Sequence, residues 1–190
     1  MRQAARTFAS QSTPASEKLN MRESFMTNGP RQPGYVATPL RSIFNALKEL
    51  KLPKNNQFAD LGSGLGMVCF AASFFFKHVT GFEIDPRLRT KAKQIQRKFG
   101  LQNVQFLNKD FLKADLRPYK TIFLFQPFVE GFSRLMVEKL KETRSGTFII
   151  SYVVDLRYIS TDIVFHSNYT DRLRDSLCGN PPDTFVFKRR

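Results

Sequence analysis

Cysteine and histidine are scarce in this chain, which has two of each among its 190 residues. Cys69 and Cys178 lie far apart in sequence, so they show neither the short spacing of metal ligands nor the density of a disulfide framework. Cys69 falls in an apolar segment, where a buried free thiol is the ordinary arrangement. We therefore expect a reducing compartment and no bound metal.

Long apolar runs are also missing. A membrane-spanning helix needs about 20 apolar residues, whereas the longest run here, residues 67–76, predicts a short buried helix. The hydrophobic fraction of 42%, with 20 Phe, is enough for one core in a domain of this length. The sequence therefore predicts one domain and no transmembrane segment.

Acidic residues are outnumbered, with 16 against 30 basic ones and a formal net charge of +14. Such a charge implies an anionic partner, namely nucleic acid, an anionic membrane surface or an acidic protein, or it serves solubility alone. The basic helix predicted after Pro86, with Lys188, Arg189 and Arg190, is either a solvated face or a footprint for nucleic acid or anionic lipid. Composition leaves both interpretations open and indicates no oligomeric state.

The N-terminal segment has a composition of its own. Its first sixteen residues contain Arg, Ala, Ser and Thr but no acid, which is typical of a mitochondrial presequence and also suits a bacterial disordered tail. We expect a mitochondrial location in a eukaryote and a cytoplasmic one in a bacterium. Proline and glycine recur up to Pro33, so residues 1–33 are predicted to be a flexible arm before a domain at 34–190.

Predicted strands and helices alternate along the rest of the chain. A helix is expected from about Thr38 and Pro39 to Leu50, and later helices at about 86–99 and 131–142. Strands are expected at 57–61, 79–83, 104–108, 121–125 and 147–154, with two weaker ones near 163–165 and 184–188 that could be irregular or partly absent. This order predicts an α/β fold, a doubly wound, Rossmann-like, mostly parallel sheet with helices on both faces.

A glycine-rich turn follows the first strand. Gly62, Gly64 and Gly66 alternate with other residues, including Ser63, directly after Asp60. Glycine is needed where the backbone is left-handed or where a ligand lies against it. An acid in front of the glycines is unsuited to a diphosphate, but it suits a cofactor that carries an ammonium group, such as S-adenosylmethionine.

Two further acids end the next strands. Glu83 follows the glycines at about the distance, 20 residues, at which an acid binds ribose hydroxyls. Asp110 could accept a hydrogen bond from an adenine amino group, or simply cap a turn, while Phe111 or Ile84 packs on the ring. Because carboxyl ends of parallel strands share one edge, these groups are expected in one crevice.

These segments resemble the class I, seven-strand S-adenosylmethionine-dependent methyltransferases over residues 35–154. Within that family the chain is most similar to the ATP synthase c-subunit lysine methyltransferases and their bacterial relatives. The resemblance is carried by Asp60 to Gly64, by the strand end at Glu83, and by a segment before the first helix: Tyr35, Val36, Ala37, Thr38 and Pro39. It implies S-adenosylmethionine as cofactor, with Tyr35 and Thr38 closing over it from the N-terminal side.

The segment after the fourth strand departs from a related pattern. Amino-group methylases of adenine or glutamine present Asp or Asn, two prolines and an aromatic residue there, whereas this chain has Gln126, one Pro and Phe128. Gln126 could orient an acceptor amine, and Phe128 with Tyr35 could line its channel. We expect a methyltransferase acting on a protein lysine. The alternatives are an RNA or small-molecule methyltransferase, or a non-catalytic binding module.

Overall fold

The computed structural model describes residues 38, 40–52, 55–125, 130–152, 163–169 and 184–190. Several predictions from sequence lie outside these ranges. They concern the arm at 1–33, Tyr35, Pro39, Gln126, Phe128 and Cys178. The boundary at residue 34 therefore stays a prediction.

One seven-stranded sheet organises the domain, in the order β3-β2-β1-β4-β5-β7-β6. The strands are β1 Gln57–Leu61, β2 His78–Glu83, β3 Val104–Asn108, β4 Thr121–Phe125, β5 Phe148–Tyr152, β6 Ile163–Tyr169 and β7 Thr184–Arg189. Strands β1 to β5 are parallel, whereas β7 runs antiparallel to both β5 and β6. Both strands that the sequence indicated only weakly are thus present and paired, and the mostly parallel α/β prediction is confirmed.

In the described ranges, four α-helices and one 3₁₀ turn accompany the strands. They are α1 Leu40–Leu50, α2 Met67–Ala72, α3 Pro86–Lys98, the 3₁₀ turn Phe111–Lys113 and α4 Glu130–Lys141. Helices α1, α2 and α3 share one apolar core on one sheet face, while α4 packs on the other. No helix in the described ranges is long and apolar enough to cross a bilayer.

The sheet has a switch point between β1 and β4. From β1 the chain moves outward through β2 to β3, then returns to place β4 on the other side of β1. Crossovers that diverge from one point leave a crevice at the carboxyl ends of the two central strands. Ligands of open α/β sheets bind in that crevice, so the predicted site residues after β1, β2 and β3 lie where the fold leaves room.

Helix α2 is shorter than the sequence predicted. The apolar run at 67–76 continues past Ala72 as irregular turns. Asn103, which precedes β3, donates from Nδ2 to the carbonyl oxygens of Ser73, at 2.9 Å, and Phe76, at 2.8 Å. The run is buried as expected, but a side chain from a distant loop satisfies the carbonyls that a longer helix would have satisfied itself.

We expect Asn103→Ala to lower the free energy of unfolding by about 1–3 kcal/mol, because two carbonyl groups lose their donor. Urea denaturation would measure the change. Gln102→Ala is the matched control, since Gln102 is exposed and neighbours Asn103. Equal destabilisation by the two substitutions would contradict the role given to Asn103.

Candidate cofactor site

The turn after β1 is held against β2 by backbone hydrogen bonds. The amide groups of Gly62 and Ser63 both donate to the carbonyl oxygen of Phe82, each at 2.9 Å. Gly62, Gly64 and Gly66 have φ angles of 87°, 53° and 82°, in the left-handed region that favours glycine. This backbone explains why the glycines alternate with other residues.

The surroundings of the glycines differ. A Cβ at Gly62 would meet no atom within 4 Å, so the backbone there borders open space that a ligand can approach. A Cβ at Gly66 would overlap the ring of Phe106, a buried β3 residue. The missing side chain of Gly66 is required for packing α2 against β3, and its predicted contact with a cofactor stays a prediction.

Ser63 packs against β2. Its side chain is buried, and its Oγ lies 2.7 Å from the point that a Cβ on Gly81 of β2 would occupy. Within the described residues this hydroxyl has no hydrogen-bond partner. The side chain packs between the turn and β2, and the predicted contact of Ser63 with a cofactor stays a prediction.

We expect Gly66→Ala to destabilise the protein more than Gly62→Ala. Both substitutions place Ala in left-handed backbone, which costs about 1–2 kcal/mol. Only the Gly66 variant also overlaps Phe106, and overpacking adds about 1–3 kcal/mol. The two free energies of unfolding, compared by urea denaturation, isolate the packing contribution, and equal values would refute it.

Glu83 joins the glycine turn to the exit of β2. Its Oε2 accepts a hydrogen bond from the Gly64 amide at 2.7 Å, and its Oε1 accepts one from the Asp85 amide at 2.8 Å. The residue is 7% exposed. An ionised carboxylate offers about four acceptor sites, so two remain for hydroxyl groups of a ligand.

Asp60 is a second buried acid, beside Gly81 of β2 and Phe123 of β4. Burial raises the pKa of Asp60 to about 7, although a hydrogen bond from Cys69 opposes this shift. The Cys69 Sγ donates to Oδ2 at 3.4 Å. No cation among the described side chains forms an ion pair with Asp60.

The sequence predicts Cys69 as a buried free thiol but does not predict its hydrogen bond to Asp60. It is fully buried in α2, nine residues after Asp60. Burial raises the pKa of Cys69 well above its ordinary value, and the neighbouring Asp60 charge adds to the effect. The group therefore stays a thiol that donates to the carboxylate. The only feature of the sequence that indicates this contact is the short connection between β1 and α2.

The raised pKa makes stability depend on pH. The carboxyl of an unfolded chain titrates near its ordinary value of 3.8, and that of folded Asp60 near about 7. Between these values the folded state binds the additional proton, so its contribution to the free energy of unfolding falls as pH rises. We expect Asp60→Asn to gain stability relative to wild type between about pH 5 and about pH 8.

Asp115→Asn is the control for this measurement by urea denaturation. Asp115 is exposed, and a hydrogen bond from Arg117 lowers the pKa of its carboxyl to about 2. Above about pH 5 that group is ionised in both states, so its substitution adds no pH dependence. A pH-independent difference for Asp60→Asn would show that Asp60 titrates normally.

The ends of β2 and β3 form the far side of the crevice. Asn108 donates from Nδ2 to the carbonyl oxygens of Glu83, at 3.0 Å, and Ile84, at 2.9 Å. Ile84 is 47% exposed, which leaves an apolar surface that an adenine ring could cover. Half-buried Phe111 follows on the 3₁₀ turn.

Asp110 has the capping role that the sequence left open as an alternative. Its Oδ1 accepts a hydrogen bond from the Leu112 amide at 2.9 Å and begins the 3₁₀ turn. Among the described residues no donor is recorded for its other oxygen, so contact with an adenine amino group stays a prediction. Thr38 is half-buried just before α1, and its predicted contact with the cofactor likewise stays a prediction.

Comparison of the chain with models of protein families identifies its family. The model of the ANTKMT methyltransferase domain matches residues 60–162, more than half of the chain. The chain belongs to the ANTKMT methyltransferase domain family. The expected membership of the class I S-adenosylmethionine-dependent methyltransferases is therefore confirmed.

Individual relatives agree on methyl transfer and differ in acceptor. The ATP synthase c-subunit lysine N-methyltransferase of Caenorhabditis elegans is 30% identical over 124 residues, 62% of this chain and 64% of that protein. The rRNA adenine N-6-methyltransferase of Limosilactobacillus reuteri is 28% identical over 130 residues, 66% of this chain and 52% of that protein. This chain thus spans less than two thirds of the length of either relative.

A solved structure shows the same fold. It is an RNA methyltransferase from Salinibacter ruber in complex with S-adenosyl-L-homocysteine, with a TM-score of 0.62 and 23% identity. The similarity covers 81% of this chain and 94% of that one. The Rossmann-like architecture predicted from sequence is therefore shared with a methyltransferase of known structure.

Proposed function

We propose that this protein binds S-adenosylmethionine and transfers its methyl group to the side-chain amine of a protein lysine. The observation that carries the proposal is a buried carboxylate, Asp60, that lacks a cationic partner among the described residues and stands beside the open backbone at Gly62. Burying an acid without a cation costs stability, and a ligand ammonium group would offset that cost.

The chemical groups of the crevice residues match those of the cofactor. Asp60 matches the ammonium group of the methionine part, and the free acceptor sites of Glu83 match ribose hydroxyls. Exposed Ile84 offers an apolar surface to adenine. When bound, the cofactor supplies an electrophilic methyl group on a sulfonium. The protein's task is then to orient the acceptor and to exclude water from it.

Aromatic residues stand at the carboxyl ends of β4 and β5, half-buried at Phe125 and buried in the core at Tyr152. Phe125 ends β4 and Tyr152 ends β5, with ring centroids 5.2 Å apart in an edge-to-face pair. In sequence, Phe125 directly precedes the segment that contains Gln126 and Phe128. A lysine amine has an ordinary pKa of about 10.4, and apolar surroundings favour its neutral, nucleophilic form. These aromatic residues support an amine acceptor, with Gln126 proposed to orient it and Phe128 to line its channel.

RNA is the second candidate acceptor, favoured by the Limosilactobacillus reuteri relative. Gln126 stands where adenine amino-group methylases present Asp or Asn, which counts against a nucleobase. The 30% identity to a lysine N-methyltransferase supports the lysine acceptor. The two candidates share the cofactor site and differ only in what enters beside Phe125.

We expect Glu83→Ala and Asp60→Asn each to weaken the binding of S-adenosylhomocysteine by about 10- to 100-fold, the effect of losing a hydrogen bond or ion pair to a charged group. Isothermal titration calorimetry would measure it. Glu138→Ala is the control, because Glu138 is an exposed acid of α4 that pairs with Lys141. No binding by folded wild type would overturn the proposed cofactor.

The acceptor is tested by incubating the enzyme with cofactor labelled on its methyl group and with separated protein, RNA and lipid fractions. We expect label on lysine in the protein fraction, and less of it with Asp60→Asn at a cofactor concentration near the dissociation constant of the wild type. Label that appears only in RNA or in small molecules would overturn the lysine acceptor while leaving the cofactor assignment intact.

A further inference from the structure

The two edges of the sheet carry different charges. The carboxyl edge, where the parallel strands end, carries the acids Asp60, Glu83 and Asp110 around the crevice. The amino edge is the opposite side, where these strands begin. The amino edge is one continuous row, because the Lys120 amide donates to the Gln57 carbonyl oxygen and the Lys120 carbonyl oxygen accepts from the Phe148 amide, at 3.0 and 2.9 Å. The Arg189 amide extends the row by donating to the Thr147 carbonyl oxygen at 2.9 Å.

Basic side chains follow this row from β2 to β7. Some directly precede a strand, one ends α3, and two lie at the end of β7. All are exposed except Lys120, which is half-buried. We call this set the basic edge: Lys77, Lys98, Lys120, Arg144, Lys188 and Arg190.

Acids near this edge are already neutralised. Asp115 pairs with Arg117 at 2.8 Å. The exposed acids of the last turns of α4 also pair with lysines, Glu138 with Lys141 at 2.8 Å and Glu142 with Lys139 at 2.6 Å. Within the described residues no ion pair involves a member of the basic edge. Among the residues that the structure describes, no acid therefore pairs with its positive charge.

Helix ends explain only part of this charge. A basic residue in the last turn of a helix stabilises the helix dipole, which accounts for Lys98. Lys77 and Arg144 precede strands, and Arg190 follows one, so no helix dipole requires them. Solubility would be served by cations on any face. Exposed cations also lie elsewhere, as at Lys91 and Lys113, but those of the basic edge differ in following one row of strand starts, and this arrangement needs a different explanation.

We propose that the basic edge docks the protein onto an anionic lipid bilayer. Strands of five residues separate the edge from the crevice by about 16 Å, so an anion bound there is not the methyl acceptor. Phe99, 44% exposed beside Lys98, adds an apolar side chain among the cations, a combination typical of membrane-interface sites. Several basic residues on one face are attracted together to an anionic leaflet.

Nucleic acid fits this edge less well. Single-stranded nucleic acid is bound by grooves in which aromatic faces alternate with cations, and an RNA substrate would need the cations around the crevice that admits its base. The cations of the basic edge lie across the sheet from that crevice. Docking through this edge instead leaves the crevice open to the aqueous side.

The experiment is co-sedimentation of the full chain with phosphatidylcholine vesicles, with and without phosphatidylglycerol. We expect binding only to the anionic vesicles, and weaker binding as salt is raised. The triple variant Lys77→Glu, Lys98→Glu, Arg144→Glu should bind at least about a hundredfold more weakly. If the triple variant does not fold, Lys77→Glu and Arg144→Glu are tested singly, with about a fivefold loss expected of each.

The matched control reverses three exposed cations away from the edge: Arg41→Glu, Lys91→Glu and Lys113→Glu. It has the same net charge as the edge variant, so retained vesicle binding by the control assigns docking to the edge. Equal loss in both variants, or no binding by wild type, would overturn the proposal. Binding of an RNA duplex that only the edge variant loses, without vesicle binding, would assign the surface to nucleic acid and overturn membrane docking.

Discussion

Two hydrogen bonds to one carboxylate connect the parts of this site. Glu83 accepts from the amides of Gly64 and Asp85, so the turn after β1 and the turn after β2 are fixed to the same side chain. An unsatisfied buried amide lowers the free energy of unfolding by about 1–3 kcal/mol. Without Glu83, the amides of Gly64 and Asp85 would both lose their acceptor. The open backbone at Gly62 and the exposed face of Ile84 flank this carboxylate. The crevice therefore keeps its shape before any ligand enters it.

Whereas Glu83 makes the site rigid, Asp60 makes it electrostatically unfavourable, because this acid is held where ionisation is unfavourable. Among the described residues, its main support is the weak hydrogen bond from the Cys69 thiol. A ligand that brings a positive charge binds only the folded, ionised protein, and its binding energy then adds to the stability of the fold. The site thus combines a rigid element, centred on Glu83, with an electrostatically unfavourable one, centred on Asp60, and selectivity for a cationic cofactor follows from the second.

The sequence predicted the scaffold better than its details. The bounds of β1, β3 and β4 match the prediction at both ends, because buried parallel strands are apolar runs that turn residues interrupt. The packing contacts of Gly66, Ser63 and Cys69 could not be predicted in the same way. Each depends on a contact from another element: Phe106 of β3, Gly81 of β2 and Asp60 of β1. Likewise, the end of α2 depends on Asn103, about which local periodicity says nothing.

The position of β7 has a consequence for biosynthesis. β7 follows every other strand in the chain, yet it lies between β5 and β6 in the sheet. Until β7 has been made, β5 is an unprotected edge whose central residues, Ile149 and Ile150, are fully buried in the finished protein. Exposed apolar edges recruit other chains. The growing polypeptide therefore passes through a stage in which it is prone to aggregate, and the described sheet can close only after β7 has been made.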